Sequence, residues 1–90
     1  MHLNISRGPA ATGKTVRLRQ IAEANGQGTD RILVGRHATT DLLERAIRTH
    51  IARGATVICI DDCTEEQITR LERLQKLLPD ALTIHAVVAN

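Results

Sequence analysis

The sequence contains no phenylalanine, tyrosine or tryptophan. Modules that grip single-stranded nucleic acid stack its bases on aromatic rings, so that class is excluded. Cysteine is nearly absent as well. Cys59 and Cys63 are too few for a disulfide framework, and no second pair exists to complete a zinc site with them. A reduced, cytoplasmic compartment is therefore expected. No apolar run approaches the roughly 18–20 residues of a membrane span. Nor does a basic start, an apolar stretch and a small-residue cleavage site mark a secretory leader. Charge of one sign is also lacking: 12 Lys+Arg against 10 Asp+Glu leave +2. That balance does not suit a polybasic nucleic-acid binder, and direct nucleic-acid binding is not indicated.

What is present is aliphatic. Hydrophobic residues make up 42% of the 90, all of them without rings. A chain of this length forms one small domain, residues 1–90, with a core of Ile, Leu, Val and Ala. Lysine occurs only at Lys14 and Lys76 among ten arginines, which draws attention to where each lysine falls.

Apolar periodicity alternates between short runs and helical stripes. Residues 2–6 read as a strand, and residues 14–25 as a helix with Val16, Leu18, Ile21 and Ala22 inward. Gly26 and Gly28 stop that helix. Residues 31–34 form a second strand ended by Gly35. Asp41 with Glu44 resembles a capping arrangement that opens a second helix, with Leu42, Leu43, Ala46, Ile47 and Ile51 inward and Gly54 as its stop. Residues 55–60 are a continuous β-branched run, as a strand buried on both faces requires, and Cys63 is expected to begin the loop after it. Thr64 with Gln67 forms a second capping box. It opens a third helix that buries Ile68, Leu71, Leu74 and Leu78 and ends at Pro79. Residues 82–89 supply a fourth strand. This alternation predicts a three-layer α/β/α domain with a four-stranded parallel sheet and right-handed crossovers.

Gly8-Pro9-Ala10-Ala11-Thr12-Gly13-Lys14-Thr15 satisfies G-x-x-x-x-G-K-[ST] at every defined position, between a strand and a helix. The two glycines let successive backbone N–H groups turn inward as an anion nest. The helix that follows offers its amino-terminal amides to a phosphate. Lys14 supplies a compact charge for β- and γ-phosphates, and Thr15 a hydroxyl for Mg²⁺.

On these residues the chain resembles a P-loop NTPase, with residues 8–15 as its Walker A motif. Thr56-Val57-Ile58-Cys59-Ile60-Asp61-Asp62 is similar to the family's Walker B strand. The resemblance implies ATP and Mg²⁺ as ligands. The nucleotide would lie on Gly8, Pro9, Ala10, Ala11, Thr12, Gly13, Lys14, Thr15 and Val16, and the metal on Thr15 and Asp61. In the AAA+ and RecA-like branch, the residue after the Walker B aspartate orients the attacking water, a role that would fall to Asp62. Asn90, at the end of the fourth strand, resembles that branch's polar γ-phosphate contact. Lys14, Asp62 and Asn90 are thus the catalytic candidates for a slow ATPase. The same branch implies strand order 2-3-4-1; the kinase and GTPase branch would give 4-1-3-2.

No guanine-reading N-K-x-D and no lid follow, which disfavours a GTPase or a lidded kinase; a phosphotransferase is the weakest alternative. A different class remains open: a non-catalytic regulatory or interaction protein, of the kind a phage or mobile element encodes, that keeps the loop as an anion site. In either case the first strand would be an exposed edge, suited to pairing with a protein partner or a second copy. Arg36 and His37, after the second strand, point to the same end of the sheet as the loop. The basic residues Arg45, Arg48, Arg70, Arg73 and Lys76 read as solvated helix faces, and His85 as a near-core histidine.

Overall fold

The computed structural model describes residues 1–7, 13–28 and 31–89, and of Lys14 only the backbone. The elements in chain order are β1 (His2–Ser6), α1 (Lys14–Ala24), β2 (Leu33–Val34), a 3₁₀ turn (Gly35–His37), α2 (Thr40–Ala52), β3 (Val57–Cys63), α3 (Glu65–Leu74) and β4 (Thr83–Val88). All strand pairs are parallel. The order across the sheet is β1-β4-β3-β2. Read from the other edge this is 2-3-4-1, the order expected of the branch with the acidic pair.

Alternation along the two central strands builds both cores. Ile58 and Ile60 of β3, with Ile84, Ala86 and Val88 of β4, face Leu43 and Ile47 of α2 and Ile68, Leu71 and Leu74 of α3. The intervening Cys59 and Val87 face Leu18 and Ala22 of α1. The three layers follow directly, with α1, among the described residues, alone on one face of the sheet.

Several local expectations need correction. Val16 is 57% exposed and Leu42 51% exposed, so neither belongs to its helix's buried stripe. Ile21 and Ile51 pack partly buried against the core as expected, and the fully buried residues are Leu18 and Ala22 in α1, and Leu43 and Ile47 in α2. Each pair is spaced i, i+4, while Val16 lies two residues, about 200° around the helix, from Leu18. The second helix is capped not by Asp41 but by Thr39, whose Oγ1 accepts the Leu42 N–H at 3.1 Å. Asp41 and Glu44 instead both accept from Arg70 on α3, at 2.9 and 3.0 Å. Arg70 therefore clamps two helices together rather than lying on a solvated face, and the contact holds the Glu44 carboxyl below its ordinary pKa. The capping box of α3 forms as expected, with Thr64 and Gln67 exchanging backbone and side-chain bonds. Among the described residues no helix is long and apolar enough to cross a membrane.

Candidate functional site

The carboxyl ends of the parallel strands and the amino end of α1 meet at one rim of the sheet, where open α/β folds place ligands. Gly13 precedes α1 with φ 75°, in the left-handed region that glycine enters without cost. Among the described residues no side chain caps the helix there. Its first-turn N–H groups thus stand ready to meet an anion at this end of the helix.

The decisive geometry lies at the end of β3, which runs on through Cys63 rather than ending at Ile60. Ile60 pairs with Ala86 and Cys63 with Val88, so Asp61 and Asp62 together oppose the single residue Val87. This is a β-bulge, and it re-aims the acidic pair. Asp62 takes φ 50°, a left-handed conformation that aspartate tolerates better than most side chains. Its N–H donates to Asp61 Oδ1 at 2.9 Å. The other oxygen of Asp61 accepts from Thr15 Oγ1 at 3.2 Å, across 46 residues of sequence. Both oxygens of Asp61 are oriented in this way, one by the bulge and one by the first turn of α1.

Thr15 and Asp61 offer hard oxygen donors side by side. Among the described residues no group of three or more His, Cys, Asp or Glu could hold a metal ion alone. Mg²⁺ keeps most of its waters and takes one or two protein oxygens plus substrate phosphates, so this donor set fits a Mg²⁺–phosphate pair rather than a protein-only cage.

Asp62 is placed differently. Its Oδ1 lies 3.8 Å from an Arg36 guanidinium nitrogen, so the carboxylate is engaged by the turn after β2. That turn is pinned by Gln67, 1% exposed, whose Nε2 donates to the carbonyls of Gly35 and Ala38 at 2.8 and 3.0 Å. Its Oε1 accepts the Thr64 N–H at 2.9 Å. The capping-box spacing revealed the Thr64 bond; nothing in the sequence signalled the clip to Gly35. A second contact without a sequence signal is the ion pair of Arg7, just before the loop, with Glu65 at the start of α3. Gly8, Pro9, Ala10, Ala11, Thr12, Asn90 and the Lys14 side chain lie outside the described residues.

Cys63 is wholly buried in β3 rather than starting a loop. Burial, with Asp61 and Asp62 adding to it, pushes its thiol from an ordinary value of 9.0 up to about 12. A thiol raised in this way contributes stability that is complete below its ordinary pKa and is lost as pH climbs through about 12. At pH 8 Cys63 should therefore resist a thiol reagent such as dithionitrobenzoate in the native state and react after denaturant is added. Prompt native-state labelling at Cys63 would contradict the placement. No family model, curated protein or solved structure matches the chain.

Proposed function

We propose that the chain is a Mg-ATP-binding P-loop protein and, if it turns ATP over, a slow ATPase working in the cytoplasm with a partner or a second copy. The observation that carries the reading is the approach of Thr15 Oγ1 to Asp61 Oδ2 at 3.2 Å. Two residues singled out for one metal by separate motifs are neighbours at the rim where the loop begins. In this reading the loop amides and Lys14 hold the β- and γ-phosphates. Thr15 and Asp61 would hold Mg²⁺, which when bound neutralises phosphate charge. The bulge and the Thr15 hydroxyl keep the Asp61 carboxylate oriented before ligand arrives, so little ordering remains to be done on binding. The outer edge of β1 is the surface offered to a partner strand.

Isothermal titration with Mg-ATP tests the proposal. Wild type should bind, and Lys14→Ala should weaken binding by at least roughly a hundredfold, since a desolvated charge contact to phosphate is lost. No heat from wild type, or equal affinity in both proteins, would sink it. The engagement of Asp62 by Arg36 favours a second reading, in which nucleotide is bound and not hydrolysed. Phosphate release over hours, absent in wild type and Asp62→Ala alike, would select that reading.

A further inference from the structure

On the sheet face that carries α1, the helix packs against Cys59 of β3 and Val87 of β4 and, among the described residues, leaves the β1 side open. Asn4 and Ser6 of β1, His85 of β4, and Arg17, Leu18 and Ile21 of α1 line a cleft of about 360 Å³ there. That volume falls within the roughly 300–1,000 Å³ of small-molecule sites. The lining is divided in the manner of such sites. Leu18 and Ile21 supply an apolar wall, and polar groups converge opposite them.

Asn4 Nδ2 lies 3.5 Å from His85 Nδ1, which accepts from the amide when the imidazole proton is on Nε2. Partial burial also holds His85 below its ordinary pKa. The Asn4 carbonyl oxygen and its second N–H have no partner among the described residues. Together they form an adjacent acceptor and donor, the complement of an adenine edge with its amino group and ring nitrogen. Arg17 brings a planar guanidinium, a surface on which a base can stack when no aromatic ring exists. The cleft is also close to the amino end of α1. The Arg17 N–H donates to the Gly13 carbonyl at 3.0 Å, so Arg17 sits one helical turn, about 5.4 Å, from the phosphate end of α1.

We infer that this cleft receives the adenine base of the bound nucleotide, with Asn4 as the base-reading residue; the inference rests on the nucleotide reading above. It is tested by titrating ATP and inorganic triphosphate, each with Mg²⁺, into wild type and Asn4→Ala. Wild type should bind ATP more tightly than triphosphate. Asn4→Ala should lose roughly tenfold in ATP affinity, the loss expected for one hydrogen-bonded fork, with triphosphate affinity unchanged within about twofold. Asn4 is exposed on an edge strand, so the variant should fold. As a check needing no variant, adenosine added to wild type should shift the His85 ring resonances. If ATP and triphosphate bind wild type equally, if Asn4→Ala alters both affinities or neither, or if adenosine leaves His85 unmoved, the cleft is not the base site and the loop reading stands. If wild type binds neither ligand, the nucleotide reading itself fails and the cleft assignment falls with it.

Discussion

Gly35→Ala should be among the most damaging single changes in the protein, lowering stability by about 2–4 kcal/mol. A Cβ at Gly35 would stand 2.3 Å from Gln67 Oε1 and 3.0 Å from both the Asp62 carbonyl oxygen and the Cys63 Cα. None of these can retreat freely. Oε1 is held by the Thr64 N–H, and Nε2 of the same amide by Gly35 and Ala38. The other two atoms are backbone of the bulge that orients Asp61. Shifting the amide would leave buried donors and acceptors unpaired, at about 1–3 kcal/mol each. For a domain of this size the melting temperature should fall by roughly 10–25 °C. Gln67→Ala removes the nearest obstacle, so Gly35→Ala should cost less in that background than in wild type. A melting temperature within about 3 °C of wild type for the single variant would show that the turn can yield.

The second large effect concerns Asp61. Asp61→Asn preserves shape, and its remaining oxygen can still accept the Asp62 N–H, so the fold should survive with little change in melting temperature. What it removes is the charge and the oxygen facing Thr15. Mg²⁺ should strengthen ATP binding to wild type by tenfold or more, and that gain should vanish in the variant, a loss of roughly 10–100-fold. Titrations with Mg²⁺ and with EDTA give the comparison. Retention of the full Mg²⁺ effect by Asp61→Asn would remove Asp61 from the metal site.

Much of the architecture was legible because it is written locally. Thr64 and Gln67 stand three apart, and a capping box needs nothing else. Residues 57–60 are β-branched or apolar throughout because the strand they form is covered by α1 on one side and by α2 and α3 on the other. The errors have equally physical origins. Thr39 and Asp41 are both competent caps, and only the course of the chain after the 3₁₀ turn selects Thr39. Cys63 looked like a loop residue because two aspartates precede it. A bulge absorbs both and returns the chain to the sheet. Gln67 reads as half of a capping box, yet its amide also bonds to Gly35 and Ala38, about thirty residues earlier. No local pattern encodes such a contact. In the site, the nearness of Thr15 to Asp61 follows from parallel strands ending at one rim. The pairing of Asp62 with Arg36 depends on the angle at which the bulge sends Asp62 out, which the sequence does not express.

The place of β4 has a consequence for how the molecule is made. β1 is synthesised before the other three strands described, yet its only strand partner among the described residues is β4, the last of the four. Until β4 has left the ribosome, β1 lacks the one strand it pairs with among the described residues. The pairing between His2 and Thr83 at one end, and Ser6 and Val87 at the other, spans nearly the whole sequence and closes late. A nascent chain should therefore leave β1 without this pairing until translation of β4 is complete.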